Sequence, residues 1–556
     1  MTENSVQICD ERSVATIRTE VELTVPESAK SPPITMEVSD VDYLAAVAPL
    51  WDELGFSKII DACVPNDPQV ALSTSTAIKA LVLNCIGGRD PLYRVSQAFE
   101  RRPIEEVLGK GVTQQSLNDS ALARHLDRFF NADCESVFSS LSLRSIDHEG
   151  LSLDRLQADT TSRLVFGEYK HEEDDAISIT FGHSKDHRPD LKQIMMGVCT
   201  TTDGVPVIAQ MLDGNTSDKK WHGGMLEIVQ KRLQLKKGRK VHYVGDSALI
   251  THNNLDLAAR HSIVITGRLP RTVNACSEVV LEVLKNPESM EELGTFSPMK
   301  EAASYRGCVV RRHVLGHDVQ LGVYTTNEQD ERVEKNVLRR QKKALEKAKK
   351  EAKKHMRITF ACAKDAETAG LEFVDTFIDP LVEIGVRVEC ELSKKPLAKG
   401  RPPKGTVPEM YEVFRLVLSI EPNNKSAKLQ IKQDSAFVIL HSGQDEICAR
   451  DLLRMYKDQS VVETRFPFLK DAAWADVFFI KTPHRLEALG YVILIALLLW
   501  SIWERRVRKN LEASQEPPIR DTTGMTKKRP TAMVCRHVLQ NIKIARIRQG
   551  DRLSRP

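Results

Sequence analysis

The sequence lacks the cysteine patterns that would announce a disulfide framework or a zinc site. Its eleven cysteines are scattered over 556 residues, with no Cys-x-x-Cys pair and no Cys/His cluster at zinc spacing. They are expected to be reduced, buried thiols of a cytosolic protein. An apolar leader is missing too: "MTENSVQICDERSVATIRTE" has no hydrophobic core of a signal peptide, so no export is expected. Long hydrophobic runs are scarce. The stretch "LGYVILIALLLWSIW" at 489–503, bracketed by Glu487 and Glu504, falls short of the roughly 20 residues that span a bilayer. It is expected to be a core helix, with no membrane partner.

An overall excess of one charge is also absent, since the formal balance is only +3. The charge is segregated nonetheless. Residues 331–357 carry 12 Lys/Arg against 4 Asp/Glu, and residues 504–556 carry 14 against 5. The rest of the chain is therefore acidic, and the two basic segments are places where a polyanion could sit. A chain this long exceeds what one hydrophobic core serves, so several domains are expected.

The periodicities divide the chain into parts. Residues 1–39, with "SPPIT", read as a flexible lead-in. Residues 40–150 are helical throughout: "VDYLAAVAPLWDELGF", "STSTAIKALVLNCIGG" with a Ser/Thr start and a Gly-Gly stop, and "SLNDSALARHLDRFF". From Leu151 the pattern changes. "LDRLQADTTSRLVF", "AISITFGHS" and "KQIMMGVCTTTDGVPVIAQMLDG" read as strands, the last broken at Asp203-Gly204. The helix "SDKKWHGGMLEIVQKRLQL", the strand "KVHYVGDSALI", a helix and the strand "HSIVITGRL" follow. This alternation implies an α/β sheet with helices on its faces, over residues 151–275. Residues 276–449 break it with a basic helix, the loop "KKPLAKGRPPKG" and further strands, and read as an insertion. Helices at 450–506 complete the α/β domain, and 507–556 is a basic tail.

Two aspartates stand at strand ends: Asp159 in "LQADTTS" and Asp246 in "HYVGDSA". Strand ends of α/β sheets are where side chains converge on a ligand, although Asp before Thr or Ser is equally a turn or cap residue. "YKDQSVVETRFPFLKD", residues 456–471, reads as one amphipathic helix holding Glu463 between apolar neighbours. If that helix packs beside the sheet, three carboxylates meet. Ionised carboxylates in proximity either stay apart or hold cations, and oxygen donors without His or Cys favour Mg²⁺ or Mn²⁺.

These motifs resemble those of bacterial insertion-sequence transposases of the DDE type, in the branch with a Tyr, Arg, Glu, Lys signature around the last acid. Here the signature is Tyr456, Gln459 in the Arg place, Glu463 and Lys470. "ADTTS" and "GDSA" resemble the first two acid motifs. "HSKDHRPDLKQ", which contains Lys185 and Arg188, and "DGNTSD" resemble the segments between them, and "IKTPHRLEAL" the one after. The likeness covers about residues 40–510.

The resemblance implies a ribonuclease-H-like mixed sheet with helices on both faces, interrupted by a β-rich insertion and preceded by an all-helical domain that binds DNA ends through arginines such as Arg89, Arg94, Arg101, Arg102, Arg124 and Arg128. It implies Asp159, Asp246 and Glu463 as catalytic metal ligands, Mg²⁺ as cofactor with Mn²⁺ able to substitute, and Tyr456, Gln459, Lys470, Lys185 and Arg188 as DNA contacts. Tyr456 and Lys470 are expected on the side of the helix that carries Glu463. The implied partners are terminal inverted repeats, a target duplex and a second copy of the chain on DNA, in the cytoplasm. Two other readings fit the same residues: a metal-dependent nuclease that does not join strands, and a decayed copy that only binds DNA.

Overall fold

The computed structural model describes residues 34–65, 70, 72–167, 169, 175–182, 188–232, 240–296, 303–327, 331–394, 407, 409–471, 480, 482–514, 518–549 and 552–553. The fold is mixed α/β, with many helices. The chain divides into two compact units, Met1–Val244 with Asp458–Pro556, and Gly245–Lys457.

In the first unit, four strands stand in the order Pro206–Leu212, Lys192–Thr201, Arg155–Val165, Val241–Gly245. The first three are antiparallel neighbours and the last pair is parallel. Alternation along a strand puts Leu156, Ala158, Thr160 and Ser162 on one face and Arg155, Gln157, Asp159, Thr161 and Arg163 on the other. Helix Asp218–Arg232 covers the first face. Thr160 Oγ1 donates to Asp218 Oδ1 at 2.5 Å, and Trp221 lies so close to Gly197 that a Cβ there would meet the indole at 2.3 Å. The opposite face belongs to a core that mixes helices and sheet, including Leu81, Phe129, Phe138, Met196, Val198, Met211, Val462 and Leu489. The helical stretch expected over 40–150 shares this core. Helix Cys134–Glu149 is fixed to the sheet edge by Ser142 Oγ, which donates to the Val207 carbonyl at 2.8 Å.

The centre of that core is helix Pro483–Ala513. It is long and apolar enough to cross a membrane, yet 94% of its apolar window is buried among other elements. Helix Thr74–Ile86 starts where the sequence signals it: the Ser73 side chain accepts from Thr76 N at 3.1 Å, and the helix stops at Gly87. Two expectations need correction. "AISITFGHS" forms no strand among its described residues beyond an isolated bridge, Thr180 to Gln193. Its amides are taken by side chains instead: Ile177 N donates to Glu487 and Ser178 N to Asp213. Nor is the lead-in loose to its end. Ile34–Asp40 pairs antiparallel with Lys543–Gln549 of the basic tail, setting Met36 against Ile547 and Val38 against Ala545.

Within the helical stretch, the buried His125 ring has Nδ1 3.0 Å from Thr74 Oγ1. Burial, with Arg128 and Arg124 nearby, pushes its pKa down to about 4. In the unfolded chain the value is about 6.5, so on acidification the unfolded state takes the proton first. Stability from neutral His125 is therefore present above about pH 6.5 and is lost as the pH falls toward 4. Urea denaturation across this window should show the midpoint falling in the wild type and falling less in His125→Gln.

In the second unit, five strands of one sheet stand in the order Ile263–Arg268, Phe437–His441, His317–Thr326, Ser304–Val314, Glu291–Thr295, every neighbour antiparallel. The region expected as an insertion, 276–449, lies within this unit. A separate sheet pairs Met410–Pro422 with Val382–Lys394 and with Thr359–Phe360. Against it lies the basic helix Glu331–His355, which buries Val337, Gln341, Ala344, Ala348 and Ala352 at helical spacing.

Candidate active site

Asp159 lies inside the strand Arg155–Val165 and not at its end as the sequence suggests, because pairing with the neighbouring strand continues past it to Val165; it is half-buried, and its Oδ1 accepts from the Thr160 amide at 2.7 Å. It shares its face with Arg155 and Arg163, four residues away on either side. Arg155 Nη1 donates to Asp458 Oδ2 at 3.2 Å, and Arg163 Nη1 donates to the carbonyls of Leu469 at 3.4 Å and Asp471 at 3.0 Å. The segment 458–471 is thus laid along this strand on the face that carries Asp159.

That segment is not the single amphipathic helix the sequence suggests. Helix Ala449–Lys457 ends, a turn follows, Ser460–Glu463 makes one helical turn, and Phe466–Lys470 starts anew with Pro467 in its first turn. A residue before proline disfavours continued helix, and the proline has no amide to give. Helical spacing therefore does not set Tyr456 and Lys470 on the side of Glu463. Tyr456 packs against Leu293, Tyr324, Ile439, Leu452 and Leu453 in the second unit. Lys470 is half-buried at the end of its own short helix, and Gln459 is buried. Glu463 itself is exposed rather than held among apolar neighbours. Val462 beside it carries the apolar contact.

The segment's anchor is a residue outside the signature. Arg465 is 4% exposed. It donates to the Gly204 carbonyl at 2.9 Å, the Asp203 carbonyl at 3.2 Å and Glu504 Oε1 at 2.8 Å. Glu504, also buried, accepts from the Ala532 amide at 2.9 Å and pairs with Arg508 at 2.9 Å. An arginine between Thr464 and Phe466, with the apolar "FPFL" after it, was the available signal.

Asp246 is the second residue of the other unit. Its strand pairs in parallel with that of Asp159, with Gln157 opposite Val244. Asp246 caps the 3₁₀ turn Ser247–Leu249, accepting from Ala248 N at 3.0 Å.

The basic candidates divide. Lys185 lies outside the described residues. Arg188 is exposed and bound bidentately by Asp190, at 2.8 and 2.7 Å, which raises the guanidinium pKa and lowers that of the carboxyl. Arg89 is buried, paired with Asp471 and stacked over Phe468, so it serves packing rather than DNA. The basic residues 505–508 are also engaged: Arg505 with Glu149 and Asp203, Arg506 with Glu53 and Glu149, Arg508 with Glu504.

Residues 36–143 match the model of a domain of unknown function, DUF4277. No curated protein matches. Among solved structures, the chain is similar to a piggyBac transposase synaptic complex with hairpin DNA, determined by cryo-EM. The identity is 9% and the TM-score 0.36, over 89% of this chain and 79% of that one. A likeness at that TM-score does not bear on the chemistry of the site.

Proposed function

We propose that the chain is a DNA transposase of the DDE type, with a ribonuclease-H-like catalytic fold and Asp159, Asp246 and Glu463 as its metal-binding acids. The observation that supports this best is the course of segment 458–471, tied to the Asp159 strand by Arg155 at one end and Arg163 at the other. The exposure of Glu463 suits an acid that must meet DNA.

The donor set fits a hard divalent cation, because three carboxylates without imidazole or thiolate suit Mg²⁺ or Mn²⁺. When bound, a pair of such ions activates the attacking oxygen and stabilises the leaving one in phosphodiester transfer. The chain's own part is placement. Backbone amides orient Asp159 and Asp246, and Arg465 fixes the backbone two residues after Glu463. The reaction proposed is hydrolysis at each end of an element, freeing a 3′-OH, and then attack of that hydroxyl on target DNA.

The test uses DNA carrying the repeats that flank the coding region. Joined product from a pre-nicked end supports the reading. Cleavage without joining favours a nuclease, and binding without cleavage favours a decayed copy. Both ends must reach one target, so two protomers on two ends are proposed before cleavage. A Glu463→Ala protein that binds an altered end, mixed with an active protein on the native end, reports which protomer cuts which end.

The lysines of Glu331–His355 supply a sequence-blind surface. Lys342, Lys343, Lys347, Lys349, Lys350, Lys353 and Lys354 are exposed, opposite the buried alanines. Replacing several of them with glutamine should weaken DNA binding and flatten its log–log salt dependence by about 0.9 for each phosphate no longer neutralised. Affinity measured across a salt series checks this. An unchanged slope makes the helix a solvated face.

A further inference from the structure

We propose that His252, Asp256 and His317 form a binding site for a transition metal of the zinc class, separate in chemistry from the carboxylate set. All three lie in the second unit, and one ligand atom from each falls within 4.8 Å of the others. His252 opens helix His252–Arg260, Asp256 stands one turn on, and His317 begins the strand His317–Thr326.

The tautomer of His252 points to a cation. His252 Nδ1 is 2.8 Å from the Leu315 carbonyl. A carbonyl only accepts, so Nδ1 carries the hydrogen, and in the neutral ring Nε2 holds a lone pair. That lone pair lies 3.5 Å from Asp256 Oδ2. A cation between these two atoms, either a metal ion or a proton on Nε2, holds them at this distance, and loading with Zn²⁺ or Co²⁺ decides which. A histidine whose far nitrogen donates to a backbone carbonyl is also the usual arrangement of a metal ligand, because that bond fixes ring and tautomer.

The spacing suits the ion. Zinc–nitrogen and zinc–oxygen bonds of about 2.0–2.2 Å at tetrahedral angles leave ligand atoms roughly 3.3–3.6 Å apart. His252 Nε2 and Asp256 Oδ2, 3.5 Å apart, already stand in this range, and His317 Nε2 lies 2.8 Å from the other carboxylate oxygen, Oδ1. Two imidazoles and a carboxylate favour zinc-like ions over Mg²⁺.

The surrounding turn is built for this contact. Leu315 and Gly316, with φ of 52° and 81°, form the two-residue loop closed by the pair Val314 and His317. Left-handed backbone at both positions makes the tight hairpin turn that matches strand twist, though leucine is an unusual occupant of the first. That conformation presents the Leu315 carbonyl to His252. Gly316 leaves room for the ring, since a Cβ there would lie 3.1 Å from His252 Cε1. A bound ion would clip the helix start to this hairpin.

The test uses full-length protein, stripped of metal and then loaded with Zn²⁺ or Co²⁺. One equivalent should survive gel filtration, and Co²⁺ should give the intense visible band of a tetrahedral site without thiolate charge transfer. His252→Ala and His317→Ala should each lose that equivalent and the band, with circular dichroism unchanged. Cys448→Ser, at an exposed thiol of the same unit, should keep both. Full stoichiometry in either histidine variant, a thiolate signature, or no retained metal in the wild type would overturn the proposal. None of these outcomes depends on DNA cleavage.

Discussion

If Asp159, Asp246 and Glu463 act as the proposed metal-binding acids, Asp159→Asn, Asp246→Asn and Glu463→Gln should each reduce DNA cleavage by roughly a thousandfold or more, while binding of DNA ends should stay within about a few-fold of wild type. The substitutions are nearly isosteric. Asparagine at 159 still accepts from the Thr160 amide, and asparagine at 246 still caps the turn at Ala248. On the proposed reading, what is lost is the negative charge that would hold a divalent cation, and that loss would fall on the chemical step. Cleavage of end-bearing DNA in Mg²⁺, with binding followed by mobility shift, separates the two effects. If one variant keeps near wild-type cleavage, that residue is not a ligand. If all three lose binding equally, the substitutions have unfolded the chain.

Arg465→Met should destabilise the protein by up to about 3–5 kcal/mol, because it takes from the buried Glu504 one of its two arginine partners. Arg508 still pairs with Glu504, so the loss is not total. Glu504→Gln costs less, since glutamine can still accept from the Ala532 amide and from Arg465. In the double variant the cost should fall well short of the sum, the mark of a shared interaction. Chemical denaturation of the four proteins measures it. A further consequence concerns catalysis. Arg465 holds the backbone that carries Glu463, so a variant still folded at low temperature should lose turnover more than DNA affinity.

Much of the fold was legible where local chemistry governs. Ser73 and Gly87 bound a helix because a hydroxyl cap and a glycine stop act within a turn of the chain. Asp203-Gly204 marked a hairpin for a similar reason. "AISITFGHS" misled, because its alternation is that of a strand while its amides go to Glu487 and Asp213, partners the sequence does not align with it. Ile34–Asp40 was hidden for the opposite reason: its strand partner lies some five hundred residues away.

The candidate site divides in the same manner. Asp159 and Asp246 could be singled out because apolar residues run up to each, yet only Asp246 stands past a strand end, since the strand of Asp159 continues to Val165. Glu463 was picked out by spacing within a motif, but its surroundings were misread. The turn after Lys457 removed the helical phase that was to bring Tyr456 to its side, and the break near Pro467 that of Lys470. Arg155, Arg163 and Arg465 escaped notice because their partners are mostly backbone carbonyls and distant acids, which leave no mark in a local pattern. Charge counting misled as well. Arg505, Arg506 and Arg508 supply part of the basic tail's excess, yet each is matched to a carboxylate inside its own unit.

Whether Asp159, Asp246 and Glu463 hold one divalent site is tested most directly by Fe²⁺ in place of Mg²⁺. With ascorbate and peroxide, bound iron cuts the nearby polypeptide backbone, and the fragments are mapped by mass spectrometry. A shared site predicts cuts clustered around residues 159, 246 and 463, competed away by Mg²⁺ and absent in Asp159→Asn. Cuts confined to the neighbourhood of residues 252 and 317, or a pattern unchanged by Asp159→Asn, would contradict it.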